Sequence, residues 1–278
     1  MILLDGRGTA DRLNEALKQK IAVLKDKPRL EIILIGDDPA SMSYVKGKLK
    51  TAESLGMIVN INHLSEDTEE NKVVDLITSF NNNKDVHGIL LQLPVPKHLN
   101  GDMLIELIDY KKDVDGFHTM NQGLLFQKKE GIRPATPLGI MMLLQAYQIP
   151  IEGKHVVVVG RSQIVGTPAA KLFLDQNATV TVTHSRTKDL PSFTRQADIL
   201  VCAIGKPKFI TKDMVKEGAV VIDVGINRVD GKLVGDVDFE NVAPISSYIT
   251  PVPKGVGPMT ICALAHNLYK LYLRQKGL

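Results

Sequence analysis

The sequence contains no tryptophan, only 5% aromatic residues and only two cysteines. With so few rings, the core must be built mainly from aliphatic side chains. Cys202 and Cys262 lie in the apolar runs ILVCAIG and MTICALAHN. They read as buried reduced thiols, and a disulfide framework is excluded. This fits a reducing compartment and a cytoplasmic protein. No run approaches the length of a membrane span, and MILLDGRGTADRL lacks the basic start and long apolar core of a secretory signal. Charge of one sign is scarce as well. Lys and Arg number 34 against 31 Asp and Glu, a net +3, too mild to argue for nucleic acid but suited to small anionic ligands. The seven histidines are scattered without ligand spacing, so no catalytic metal is expected. Solenoid repeats and low-complexity tracts are missing too.

What is present is an alternation of apolar runs and amphipathic stretches. The composition, 44% hydrophobic and 23% charged over 278 residues, suits a globular chain of one large or two smaller domains. Leu13, Leu17, Ile21 and Leu24 mark a helix face that Thr9 is placed to cap. LEIILIG (30–36), MIVNINHL and VHGILLQLP read as strands of a parallel sheet, with helices between them. The helix that carries Tyr44 and Lys48 stops near Gly56. Pro94 and Pro96 end the third strand. Pro134 and Pro137 mark a boundary. Beyond them KHVVVVG, TVTVTH, DILVCAIG, AVVIDVGI and a shorter SYIT form a second series of strands. GPMTICALAHNLYKLYLRQKGL is a closing helix whose apolar positions cover much of its circumference, which suggests burial. The predicted fold class is α/β: two α/β domains with an interdomain cleft, the second Rossmann-like. The predicted division is 1–135 plus 256–278 for the first domain and 136–255 for the second.

Several segments carry chemistry. VVVVGRSQIVGTPAAKL runs from a buried strand through Gly160 and a polar turn to Gly166 and a helix start. That pattern suits a nucleotide phosphate, although the spacing is not G-x-G-x-x-G and no Walker lysine follows. An ordinary tight turn is the alternative. The next strand ends in Ser185, Arg186, Thr187 and Lys188, without the acidic residue that prefers a free ribose hydroxyl. With Arg161 in the preceding loop, this favours NADP over NAD. IDVGIN offers a strand end able to approach a nicotinamide through its backbone. ITPVPKGVGPMT is rigid and turn-rich, and suits a cleft wall. In the first half, Tyr44 and Lys48 share a helix face at i and i+4. Alone they are a catalytic pair, two surface side chains, or the Tyr-x-x-x-Lys of a short-chain dehydrogenase. Chain order argues against the last, because the pair precedes Gly160 by more than a hundred residues. Gln92 ends an apolar strand, and Asp113 and Asp115 lie in a loop with a glycine.

Taken in order, SMSYVKGKLK, GILLQLPVP, KDVDGF, PATPLG, GRSQIVGTP, THSRT, VVIDVGIN and TPVPKGVGPMT resemble the signatures of the bifunctional methylenetetrahydrofolate dehydrogenase/methenyltetrahydrofolate cyclohydrolase family, over nearly the whole chain. The resemblance implies a homodimer that takes tetrahydrofolate one-carbon derivatives, with a folate-binding catalytic first domain and an NADP-binding second domain. It implies catalytic roles for Tyr44, Lys48, Gln92 and Asp115, with Asp115 holding the pterin and Gln92 contacting the lysine. Gly160, Arg161, Ser162, Ser185 and Ile226 would meet the cofactor. Leu93, Pro253, Gly255, Val256 and Gly257 would join the catalytic set around the substrate. The chain departs from the family at Lys254, where a glycine is usual, and at Ala135, where many members carry cysteine. A dehydrogenase without hydrolase activity and a non-enzymatic nucleotide sensor are the competing readings. Retention of Lys48 argues against the first. The joint presence of Tyr44, Lys48, Gln92 and Asp115 argues against the second.

Overall fold

The computed structural model describes residues 1–278. The chain opens with β1 (Ile2–Leu3) and α1 (Gly6–Ala22), followed by β2 (Arg29–Ile35), α2 (Pro39–Ser54), β3 (Ile58–Leu64), α3 (Glu70–Asn82) and β4 (Gly88–Leu91). Short helices α4 (Gly101–Leu107) and α5 (Thr119–Phe126) lead to α6 (Ala135–Ala146). The second series runs β5 (His155–Val159), α7 (Gly166–Asp175), β6 (Thr179–Thr183), α8 (Leu190–Thr194), β7 (Ile199–Cys202) and β8 (Val220–Asp223). It closes with β9 (Asn227–Val229), β10 (Lys232–Val234), α9 (Phe239–Val242), β11 (Tyr248–Ile249) and α10 (Val256–Lys276).

Two compact units form. One comprises Arg12–Ala135 with Leu264–Leu278, the other Met1–Asp11 with Thr136–Ala263. This division differs from the predicted one at both ends of the chain. Residues 1–11 leave the first unit because β1 pairs with β11, Ile2 opposite Tyr248 and Leu3 opposite Ile249. The start of α10, up to Ala263, also goes with the second unit. Helix α1 begins at Gly6, ahead of the expected Thr9. Asp5 starts it instead: its Oδ1 accepts from Gly8 N at 3.0 Å and its carbonyl from Thr9 N at 3.1 Å, while Arg7 N donates to Lys254 O at 3.0 Å.

In the first unit a parallel sheet is ordered β3-β2-β4. Its central strand reads RLEIILI and is covered on both faces. Leu30, Ile32 and Leu34 meet Leu17 and Ile21 of α1, Val45 and Ala52 of α2, and Leu268 and Leu271 of α10. Ile33 and Ile35 point the other way, onto Val73 and Ile77 of α3 and Leu104 of α4. The strand's period of two therefore feeds two apolar layers. Each fully buried Leu or Ile contributes about 1.5–3 kcal/mol.

In the second unit six parallel strands are ordered β1-β11-β8-β7-β5-β6. The chain moves from β5 to β6 on one side and then to β7 on the other. Such a switch point is where open α/β sheets bind ligands, outside the carboxyl ends of the strands.

Candidate active site and cofactor loops

The first unit assembles Lys48, Gln92 and Asp115. Helix α2 is started by Asp38, whose carboxylate accepts from Ser41 N at 2.7 Å, and by Pro39 in its first turn. It presents Tyr44 and Lys48 one turn apart. Gln92 follows β4 and is fixed by its own backbone, with N donating to Ile33 O at 2.9 Å. Its amide nitrogen donates to Leu93 O at 2.7 Å, which turns Oε1 toward Lys48. Lys48 Nζ donates to that oxygen at 3.1 Å. Lys48 is only 8% exposed. Burial depresses its pKa, and the nearby Asp115 carboxylate opposes the shift in part. Burial raises the Asp115 pKa in turn, with Lys48 countering and Asp113 reinforcing. Tyr44 is half-buried, and burial raises its phenol pKa.

The loop that carries Asp115 is held by residues the motif reading did not assign. The buried Asp113 carboxylate accepts from Gly116 N, His118 N and Asn121 Nδ2, each at 2.9 Å. Asn267 of α10 donates to Val114 O at 3.0 Å and Arg133 O at 2.9 Å. Asp113 stood in view two positions before Asp115. Nothing in one sequence distinguishes a carboxylate that organises a loop from one that faces solvent.

The second unit carries the expected cofactor residues and the Pro253–Gly257 loop, whereas Leu93 lies in the first, beside Gln92. Gly160 ends β5 with φ +121°, and a Cβ there would lie 2.3 Å from Ala203 O. A Cβ on Gly166 would lie 2.2 Å from Gly160 O. Only glycine permits this turn at both ends. Ser162 Oγ accepts from Val165 N at 3.2 Å and Gly166 N at 3.3 Å, so it caps α7. Arg161, Ser185 and Arg186 are exposed. Thr187 is a turn residue: its hydroxyl accepts from His184 N at 2.9 Å. Ile226 is 43% exposed, and its Cδ1 lies 3.7 Å from the position of a Cβ on Gly257. The loop before α10 is thus beside the Ile226 turn. In that loop Gly255 and Val256 are buried, whereas Pro253 and Lys254 are exposed. Lys254 has φ +82°. A cavity of about 230 Å³, lined by Lys154, Asp198, Lys216 and Tyr248 among others, opens where β7 and β8 begin. It is separate from these loops.

A twisted parallel sheet with a glycine turn at its switch point, joined in one chain to a unit that buries a lysine against an amide, defines an α/β nucleotide-dependent enzyme. The comparisons make the class specific. Residues 4–115 match the family model "Tetrahydrofolate dehydrogenase/cyclohydrolase, catalytic domain", and residues 134–276 match "Tetrahydrofolate dehydrogenase/cyclohydrolase, NAD(P)-binding domain". The chain is 76% identical over 275 residues to the bifunctional protein FolD of Acholeplasma laidlawii, covering 99% of each sequence. Its fold superposes with TM-score 0.97 on the Campylobacter jejuni bifunctional enzyme FolD, at 49% identity and 99% coverage of both chains. It superposes with TM-score 0.96 on the Trypanosoma brucei dehydrogenase-cyclohydrolase solved with NADP cofactor and inhibitor, at 33% identity, covering 100% of this chain and 99% of that one. The chain belongs to the tetrahydrofolate dehydrogenase/cyclohydrolase family. The residues at the switch point fit a dinucleotide: Gly160 and Gly166 close a strand–turn–helix too tight for a Cβ at either glycine, and such a turn sets a pyrophosphate at the start of the helix.

Proposed function

We propose that this chain oxidises 5,10-methylenetetrahydrofolate to the 5,10-methenyl compound with NADP, then hydrolyses that product to 10-formyltetrahydrofolate. The observation that carries the reading is the Lys48–Gln92 contact, buried in the same unit as Asp115. NADP, when bound, accepts the hydride. Gly160, Arg161, Ser162, Ser185 and the backbone at Ile226 are the residues that would hold it. The absence of a carboxylate at Ser185–Lys188, and the basic side chains of Arg161 and Arg186, support NADP over NAD.

Asp115 accepts the pterin ring N–H and exocyclic amino group together, which fixes orientation as well as affinity. The substrate nitrogen's lone pair expels the hydride, so positioning dominates the first step. Hydrolysis differs. Water adds to the cationic methenyl carbon, the C=N π electrons return to nitrogen, and one water proton leaves as the C–O bond forms; the adduct then collapses, the carbon–N5 bond breaks and N5 takes a proton, which leaves the formyl group on N10. Lys48 is the base: burial favours its neutral form, and Gln92 takes one N–H so that the amine is held in place. Tyr44 packs beside the lysine and the substrate ring. Leu93, Pro253, Gly255, Val256 and Gly257 shape the substrate's surroundings.

The family relationship supports a homodimer, and the unpaired outer edge of β3 is a surface where a second copy can dock. Two free, buried cysteines favour a reducing cytoplasm, and no helix is long and apolar enough to cross a membrane. The test supplies 5,10-methylenetetrahydrofolate with NADP or NAD and follows the methenyl intermediate and the 10-formyl product. NADP-dependent formation of both is expected. Equal turnover with NAD would defeat the cofactor assignment, and accumulation of the methenyl compound without 10-formyl product would defeat the hydrolase.

A further inference from the structure

Two carboxylates of the second unit take no part in the chemistry above. Asp223 ends β8 and Asp236 follows β10, and they are 3% and 0% exposed. Burying a carboxylate costs free energy unless its lone pairs are met by donors. Here they are. Asp236 Oδ2 accepts from Ile204 N at 2.7 Å and Gly205 N at 3.0 Å. Its Oδ1 accepts from Lys206 N at 2.8 Å and Asn227 Nδ2 at 3.0 Å. Asp223 Oδ1 accepts from Gly225 N at 3.0 Å and Asp236 N at 2.9 Å, and its Oδ2 from Val237 N at 2.9 Å.

One carboxylate therefore ties the loop leaving β7 to the loop leaving β8, two neighbouring strands of the parallel sheet. The fit is close. A Cβ on Gly225 would lie 2.2 Å from Asp236 Oδ1, and one on Gly235 would lie 1.8 Å from Asp223 Oδ2. Ile226 sits between the two ties, with Gly225 N held by Asp223 and the Asn227 amide held by Asp236.

We propose that Asp236, seated by Asp223, is a positioning residue that joins the β7 and β8 loops into one preformed rim for the nicotinamide cofactor. The inference rests on the functional reading above, in which Ile226 meets the cofactor through its backbone. A rim fixed before binding saves the ordering cost that a loose loop would meet on binding. Folate hydrolysis uses Lys48 of the other unit and has no need of this rim, which separates positioning from general structural support.

The test compares wild type with Asp236→Asn, whose amide keeps the shape but turns donors toward donors. NADP titration by calorimetry is expected to show about tenfold weaker binding. The Michaelis constant for NADP rises in step, kcat stays within about threefold, and methenyl hydrolysis stays within about twofold. Amide exchange in the cofactor-free protein speeds up at Ile204–Lys206 and Gly225–Asn227. Unchanged NADP affinity despite faster exchange overturns the proposal, and so does parallel loss of both activities. Should Asp236→Asn fail to fold, Asn227→Ala removes one of the four donors and is expected to weaken NADP about threefold; unchanged affinity there is equally fatal. A wild-type chain that binds NADP but does not turn over the folate counts against the function proposed above, and calorimetry and exchange still decide the rim.

Discussion

Two sites, one in each unit, bury charge in opposite ways. In the second, Asp223 and Asp236 receive seven hydrogen bonds between them, every one from an N–H donor. In the first, Lys48 makes a single bond to Gln92, and Asp115 accepts none within the chain while burial raises its pKa. Burial also pushes the saturated Asp223 up to about 7, against the N–H groups of Val237, Asp236 and Gly225. A displaced pKa therefore does not separate chemistry from scaffolding. Spare bonding capacity does. Lys48 and Asp115 retain atoms that a substrate can engage, whereas Asp223 and Asp236 have spent theirs on backbone amides and the Asn227 side chain.

The largest effect should come from removing the unsaturated group. Lys48→Met takes away the base and keeps the length of the side chain. Methenyl hydrolysis should fall about a thousandfold, within the range for losing a positioned general base. Hydride transfer should fall much less. Separate assays of the two steps check this, and an equal loss in both would make Lys48 a binding residue and remove the distinction between the units.

His87 offers a second test, because it is buried without being saturated. It is 3% exposed, its Nδ1 accepts from Arg29 N at 3.1 Å, and its Nε2 has no partner. The ring is therefore neutral with its proton on Nε2. Burial, helped by Lys276 and Lys112 and opposed by Asp85 and Asp26, lowers its pKa from 6.5 to about 4. The unfolded chain thus binds the extra proton first. Stability from this site is complete above pH 6.5 and is lost as pH falls toward 4, about 3 kcal/mol in all. His87→Asn keeps an acceptor for Arg29 N and cannot titrate. Its stability, measured by denaturant unfolding across that window, should fall less steeply than that of wild type.

Much of this was legible in the sequence, for physical reasons that also explain the rest. Continuous β-branched runs such as Val156–Val159, stopped by a glycine, favour buried parallel strands, and the Gly160–Gly166 turn is written in residue types with few substitutes. Strand β1 was not legible: two residues carry no period, and their partner is Tyr248–Ile249 near the far end of the chain. The hairpin β9–β10 is signalled only by Asp230–Gly231. Both residues have positive φ, +49° and +75°, as a two-residue turn between paired strands demands. In the candidate site, the i, i+4 spacing anticipated Tyr44 beside Lys48. The supporting bonds of Asp113, Asn121, Asn267 and Asp236 join residues through the fold. Periodicity does not encode them.

Gln92 tests how far the unsaturated state of Lys48 is tuned. Its carbonyl favours the charged amine by accepting a hydrogen bond from it. In Gln92→Ala that bond is gone, and burial is opposed only by the Asp115 carboxylate, so the Lys48 pKa falls further. The rising limb of the hydrolysis pH profile should move to lower pH. Its plateau should drop about tenfold, because the amine is no longer held. An unmoved limb would mean that the Lys48–Gln92 bond does not govern the base.

The smallest effect concerns a charge that is neither buried nor paired. Lys254 is exposed and stands at φ +82°, a backbone conformation that favours glycine. A left-handed backbone costs an L-residue about 1–2 kcal/mol. Replacing it with glycine returns about 0.5–1 kcal/mol of that to unfolded-state entropy. Lys254→Gly should therefore stabilise by about 0.5 kcal/mol, raising Tm by about 1–2 °C in a chain of this size. If the ammonium points to solvent, the Michaelis constant for a monoglutamyl folate stays within about twofold and is equally unaffected for a polyglutamyl one. A selective rise for the polyglutamyl substrate would assign Lys254 to the anionic tail. The residue would then resemble Lys48, a cation with bonding capacity kept in reserve for substrate, and the contrast between the units would be weaker than their buried charges suggest.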